Sequence, residues 1–535
     1  MTEEVATTAK RQPLPDLADI MFLLLLQLTL YLKPDFIFSD GSTGWHLYAG
    51  DWILNNHQIP HHDLFSHTFP DKAWVAYEWL SDLLMASLVR LGGFNLLAVT
   101  VCSCISLLFF LLYQQCRKSG AHFMFAIVLC VIGAIVSAVH WLARPHLFTF
   151  FGVYLYSTTL NDYWRGTISS KRMFAVLGLT MLVWVNCHPA FLFGFAILAV
   201  YFGCAVIQWI FMRTDADNSV QKHLKDLLIA IGLVFTATLF NPYFLNLYVY
   251  IAQYLKGSIV LAATDEFLSP IFHGTLQPVC LEILFFLFAA GLAITRAPLT
   301  MPAFLLCLAF GHLSLSAVRN MPLFAIVVVP AIAQLFSKTV LDPSPEEKNE
   351  DGQSDKASIY ASLNQLTKDV LFKIRSVNEG FTENERLCNM HILPWAAAIT
   401  LSIAALCGGK LAGQELVAAT FDHEHKPTKT LDAIASSHLD PNRGFNYDNW
   451  GGYLLYKTGH RVFIDDRADF YGEAFYSDYG TVSQVSPGWK ELLDKYKIQW
   501  VLFPKNSRLA AALKETRGWK LVAEDSAAYL YARQD

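Results

Sequence analysis

Asp40 stands in the stretch "FSDGSTGWHLYAGDW", a few residues after the first apolar run of the chain. A carboxylate held where a membrane helix has just surfaced is placed to act on a lipid headgroup. It has company. His46, Asp51, His61, His62, Asp63 and Glu78 follow in the same segment. His140, Arg144 and His146, then Asn186 and His188, then Asn241, Asp265 and Glu266, and then Arg319 and Asn320 flank later apolar runs. With those runs laid out as alternating crossings, every one of these residues falls on the same side. Charged groups within or beside hydrocarbon cost at least about 2.5 kcal/mol each and normally mark a pathway or a site. Arg144 and Arg319 taken singly also read as snorkelling to headgroups. That reading does not account for a whole set gathered on one face.

The composition says what must position them. The chain has 535 residues, 54% hydrophobic and 16% charged, with 39 Phe, 22 Tyr and 13 Trp. Soluble domains carry roughly a quarter charged residues, so this is the balance of a polytopic membrane protein with aromatic belts at its interfaces. A net charge of −5 gives no reason to expect nucleic acid as a partner. Of ten cysteines, Cys102, Cys104, Cys130, Cys204, Cys280 and Cys307 sit in apolar stretches as small hydrophobes. No Cys/His spacing points to zinc, and none follows Leu411, so no disulfide framework is expected.

Apolar runs of spanning length, about 17–25 residues, recur near 17–33, 95–115, 122–140, 146–160, 174–187, 190–212, 226–241, 279–295, 299–317, 321–337 and 392–411. The fold class expected is therefore mostly α, with about eleven transmembrane helices. The first run reads as a retained span, because acids precede Lys10 and Arg11 and no small-residue cleavage site follows. With the N-terminus inside, the turns "CRKSG", "YWRGTISSKR", "FMRTDADNSVQKHLKD" and "TRAPL" and the segment 338–391 are cytoplasmic, and each carries Lys or Arg. The outer turns are nearly bare of them, apart from Lys72, Arg144, Lys256 and Arg319.

The domains expected are 1–337, a membrane catalytic domain; 338–391, a charged, partly disordered cytoplasmic linker; 392–411, the last span; and 412–535, an outer soluble domain. In the last, "RVFIDD", "QWVLFP", "WKLVAED" and "AAYLYAR" read as strands, "GWKELLDKYK" and "SRLAAALKETRG" as helices, and "GYLLYKT" as either. The alternation points to a small α/β domain.

In the first outer loop, "GWHLYAGDWILNN" puts Trp45, Tyr48/Ala49 and Trp52/Ile53 on one helical face, the pattern of an interfacial helix whose tryptophans anchor it to the bilayer. Residues 79–91, apolar but carrying Asp82 and Arg90, read as a second interfacial helix.

These features resemble the GT-C superfamily of integral membrane glycosyltransferases, which use polyprenyl-phosphate or dolichyl-phosphate sugars. The stretches "DGSTGWHLYAGDWILNNHQIPHHDLFSHT", "YEWLSDLL", "ARPHLFT", "WVNCHPAF", "NPY", "DEFLSP", "VRNMPLFA", "NWGGYLLY" and "FIDDRADFYG" are similar to a bacterial branch of it, from residue 17 to the C-terminus. The resemblance implies inverting transfer to a glycan, lipid or protein acceptor on the outer face of a bacterial inner membrane, with Asp40 as the base. Many relatives carry a second acid just after the first. Here Gly41 and Ser42 hold those places, so no metal ligand is named and a divalent metal stays an open requirement. A leaving phosphate needs cationic partners as its charge builds, and Arg144 and Arg319 suit it by their forked donors. His146 and His188 are further donors, and Asn320, His46, Asp63 and Glu78 are grouped with them as substrate-binding.

Plainer readings stand beside these. Asp40 also suits a cap for a helix beginning near Thr43, Asp63 a turn or cap before "LFSHT", His188 the closing of a turn, and Glu78 a brace for the loop. "DDRAD" reads either as a roof over the site or as a self-satisfied ion-pair turn. Two other functions compete with transfer: a flippase for lipid-linked sugar, which would gather polar groups near mid-membrane in repeated halves, and a catalytically silent relative that binds a glycan or a partner enzyme.

Overall fold

A run too apolar for water must satisfy its backbone within itself, and a helix does so. In the computed structural model, which describes residues 12–31, 35–211, 218–254, 265–295, 299–337, 365–422 and 424–534, the described part of each of the eleven apolar runs is mainly helical. Lys10, Arg11, Lys256, the side chain of Asp265 and residues 338–364 of the expected linker lie outside the described residues. The helices are α1 (Leu17–Tyr31), α2 (Ser42–Asn56), α3 (Trp79–Lys118), α4 (Phe123–Ser137), α5 (His146–Trp164), α6 (Ser170–Cys187) and α7 (Leu192–Phe211). They continue as α8 (Asn218–Thr238), α9 (Asn246–Tyr254), α10 (Leu276–Ile294), α11 (Met301–Ser316), α12 (Met321–Phe336), α13 (Gln365–Leu387) and α14 (Ile392–Leu406).

Among the described residues five helical stretches combine the length and apolarity of a crossing, or six if the bent pair Ser376–Leu387 and Ile392–Leu406 is one span. Leu17–Tyr31 and Met301–Ser316 are apolar but shorter. The chain is thus a multi-pass membrane protein. α12 is apolar all round and takes the centre, with thirteen of its sixteen residues buried against α3, α4, α5, α10 and α11. Exposed Leu24 and Leu28 of α1, Val128 and Val131 of α4 and Phe286 of α10 give the bundle its lipid-facing exterior. The later part of the expected linker is helix α13, whose Glu385 pairs with Arg117 at 2.9 Å.

The segment expected as a second interfacial helix is the first half of α3. Gly93, at φ +66°, breaks α3 between this half and the spanning half. Arg90 joins it to α2 through Asp51 at 2.6 Å.

After α14 comes a hairpin of β1 (Lys410–Leu411) and β2 (Gln414–Glu415), and then the C-terminal domain. It runs α15 (Lys429–Ser436), β3 (Gly444–Asn446), α16 (Asp448–Thr458), α17 (Ala468–Tyr471), α18 (Glu473–Ser483), α19 (Trp489–Lys495), β4 (Trp500–Pro504), α20 (Arg508–Glu515), β5 (Trp519–Glu524) and β6 (Ala528–Arg533). The sheet order is β3-β4-β6-β5, with only β3 and β4 parallel. "RVFIDD" is not one of its strands. The Asn446 side chain takes the strand partner's place, accepting from Phe463 N and donating to Ile464 O, while Val462 bridges to Ser66 of the first loop.

The first loop is sandwiched between the bundle and this domain. Trp45, expected against lipid, is 6% exposed and packs on Phe65 and Trp74. Its indole N–H donates to Asp466 of the C-terminal domain at 2.7 Å. Apolar periodicity gave it a buried face but not the body that buries it.

α2 and α16 meet backbone to backbone. A Cβ built on Gly44 would lie 2.2 Å from the Gly452 carbonyl oxygen and 2.7 Å from Tyr453 N. Backbone cannot yield as a side chain can. Gly44→Ala is therefore expected to push the two apart and to destabilise by about 1–3 kcal/mol, the usual range for overpacking, read as a lowered melting temperature with faster proteolysis of the C-terminal domain.

Candidate active site

Asp40 lies just ahead of α2, and its two oxygens do different things. Oδ1 accepts from the backbone N–H of Ser42 at 2.8 Å and from the Ser42 hydroxyl, which caps the turn into the helix. Oδ2 faces outward to Arg144 Nη1 at 3.1 Å. One oxygen thus serves the turn into α2, and the other faces Arg144. Burial works to raise the Asp40 carboxyl, but Arg144, the Ser42 donors and Lys426 together hold it below the ordinary aspartate value.

Arg144 sits in the turn before α5. The same Nη1 reaches Glu266 Oε1 at 2.5 Å, so one guanidinium nitrogen joins carboxylates from two separate segments. It faces a cavity lined also by Glu78, His146, His188, Arg319 and Asn320. Six of the residues expected at the site thus share one cavity, with Asp40 at its edge. Arg319 lies over the Phe267 ring, 4.4 Å from its centroid. Asn320 donates to the Leu313 carbonyl at 3.1 Å. His146 Nε2 donates to the carbonyl of His140.

The His188 tautomer follows from its neighbours. Trp184 donates to Thr149 Oγ1, and Thr149 and Ala190 N both bond to His188 Nδ1. Nδ1 is the acceptor, which leaves the proton on Nε2, 3.7 Å from Glu78 Oε1. Burial pushes the Glu78 carboxyl up to about 8. The folded state then holds this proton more tightly than the unfolded chain, whose value is near 4.5. Stability should be greatest below about pH 4.5 and fall as pH rises towards about 8. In melting curves across that window, Glu78→Gln is expected to flatten the fall.

Two expected residues lie elsewhere. His46 is 1% exposed, outside the cavity, packed at a tilt against Trp45 with Nδ1 2.6 Å from Asp82 Oδ1. Asp63 accepts from Ser66 N at 2.9 Å and from Arg467 Nη2 at 2.7 Å, all buried. Its turn-residue reading describes what it does here: it braces the loop against the C-terminal domain.

That domain contributes residues from "DDRAD" and a lysine that the sequence did not single out. Within "DDRAD", Asp465 and Arg467 pair with each other, while partly exposed Asp466 turns towards Trp45. Burial raises the Asp466 carboxyl well above the ordinary value, and the nearby Asp40 charge adds to the effect. Lys426, 1% exposed, donates to the carbonyl oxygen of Asp40 at 3.3 Å and to Asn449 at 3.1 Å. Neither lysine of "HEHKPTK" carried a signal of this role.

No protein-family model and no curated protein matches this chain. Among solved structures it is similar to the oligosaccharyltransferase of Archaeoglobus fulgidus tethered with an acceptor peptide containing the NVT sequon. The TM-score is 0.53 at 12% identity, over 97% of this chain and 74% of that one. The archaeal oligosaccharyltransferase AglB from Archaeoglobus fulgidus, in complex with an inhibitory peptide and a dolichol-phosphate, aligns at TM-score 0.53 and 14% identity over 97% and 74%. ArnT from Cupriavidus metallidurans bound to undecaprenyl phosphate aligns at TM-score 0.45 and 13% identity over 96% and 97%.

Proposed function

We infer that this chain, a membrane protein with the GT-C glycosyltransferase fold, moves a sugar with inversion from a polyprenyl-phosphate donor to a hydroxyl-bearing glycan or lipid, or to a protein. The observation that carries the reading is the pairing of Asp40 with Arg144 at the edge of a cavity lined by Arg319 and His188. Asp40 Oδ2 takes the proton of the acceptor hydroxyl, whose oxygen bonds to the anomeric carbon. The bond from that carbon to the phosphate oxygen breaks, and the phosphate leaves with the electron pair. Arg144 and Arg319 hold the charge it gains. An incoming phosphate competes with Asp40 for Arg144, so donor binding itself frees the base.

The site end of the bundle faces outward in this reading, with the C-terminal domain (412–535) over it and the N-terminus cytoplasmic. The placement of Lys118 and Arg165 at the far ends of α3 and α5 supports that orientation. The test is transfer of radiolabelled sugar from a panel of polyprenyl-phosphate sugars into membranes holding the wild-type chain. Transfer above membranes lacking the chain is the expected result. No transfer from any donor, with acceptor-rich membranes supplied, counts against the reading.

A further inference from the structure

We propose that the guanidinium of Arg144 is the resident cation of this site, standing between Asp40 and Glu266 where a divalent metal would otherwise be held. The inference goes beyond the transfer reading and does not depend on it. Its basis is the geometry of a single nitrogen. Arg144 Nη1 is 3.1 Å from Asp40 Oδ2 and 2.5 Å from Glu266 Oε1. The two carboxylates come from the first loop and from the segment before α10, and the guanidinium is what joins them.

Paired oxygens of this kind from separate loops are the usual ligands of hard divalent cations. Here that place has an occupant which cannot be deprotonated. A second fixed charge stands behind it. Lys426 is buried, with its ammonium on the Asp40 carbonyl at 3.3 Å, the Asn449 carbonyl at 3.2 Å and the Asn449 side chain at 3.1 Å. With Arg144 between the two carboxylates and Lys426 on the Asp40 carbonyl, a divalent ion brought to this place would be repelled by both cations in a half-buried setting where screening is weak. The residues do not fit a metal at this place.

Asp16, Asp19 and His391 form a separate group, with ligand atoms within 4.8 Å of one another. They stand at the N-terminal end of α1, a helix about 22 Å long by its rise per residue, whereas Asp40 follows its other end. Any ion taken up there is insensitive to Asp40, which makes the test specific.

The experiment is Mn²⁺ titration followed by electron paramagnetic resonance on the full chain in detergent. It compares wild type, Asp40→Asn, Arg144→Gln, and Arg144→Gln combined with Asp40→Asn, each checked by its melting curve. Wild type and Asp40→Asn are expected to bind the same amount of Mn²⁺. Arg144→Gln should bind about one more ion per chain than wild type, and the double variant should lose it again. A wild-type Mn²⁺ site that Asp40→Asn abolishes would overturn the proposal, as would a folded Arg144→Gln chain that gains no ion. Should Arg144→Gln fail to fold, the wild-type and Asp40→Asn pair decides alone: equal binding supports the proposal, and loss on substitution overturns it.

Discussion

Replacing Asp40 with Asn is expected to lower sugar transfer by about 10²- to 10⁴-fold, the range that general-base help commonly supplies. Asn keeps the shape and the Oδ1 acceptor that Ser42 uses, so the turn into α2 survives. Arg144 keeps Glu266. The melting temperature should therefore move little while the rate collapses, a combination that a structural role does not produce. The pH profile sharpens the test. Asp40 is held below the ordinary value of 3.8, so it is already ionised and the wild-type rate should show no rise between pH 5 and 8 from this group. Glu78, at about 8, would behave differently as the base: the rate would climb with pH towards 8. A flat profile together with the Asn effect assigns the proton to Asp40. A rise through pH 8 that vanishes in Glu78→Gln would move it to Glu78.

Arg467→Ala is expected to destabilise the protein by about 3–5 kcal/mol, the cost of breaking a buried ion pair from one side. Its guanidinium donates to Asp465 at 2.8 Å and to Asp63 at 2.7 Å, and the side chain is 2% exposed. It also lies over Phe65 at 4.1 Å and Phe470 at 4.6 Å. Truncation leaves two carboxylates buried without their cation and opens a void between aromatic rings. Because Asp63 belongs to the first loop and Asp465 to the C-terminal domain, the damage falls on the contact between the two. Limited proteolysis should then cut the C-terminal domain faster than in wild type, along with a lowered melting temperature. Arg467→Met refills the void but not the charge, and should recover only a minor part of the loss. Adding Asp63→Asn and Asp465→Asn to Arg467→Met should recover most of it. Equal stability of Arg467→Ala and wild type would mean that the pair does not hold the domains together.

Much of the membrane part was legible because its determinants are local. An apolar run of sufficient length becomes a helix wherever it lies, and the described part of each of the eleven runs is mainly helical. Arg144, His146, His188, Arg319, Asn320 and Glu78, expected together at one end of the bundle, share one cavity. The prediction that Trp45 faces lipid was wrong for an equally physical reason. Periodicity marks a face as apolar but is blind to whether lipid, helix or another domain covers it.

The sequence by itself thus determined the helices, the end of the bundle at which polar groups gather, and the position of Asp40 at that end. Tertiary structure alone decided the partners. Trp45 meets Asp466 across 421 residues, Asp63 meets Arg467 across 404, and the Asp40 carbonyl meets Lys426 across 386. No window of sequence contains such a pair, and none of these side chains has a local pattern that names the other. Gly44 and Gly452 let the backbones of α2 and α16 touch where the first loop meets the C-terminal domain. Helix formation is a property of neighbours along the chain, whereas the completed site is a property of how two folded bodies dock.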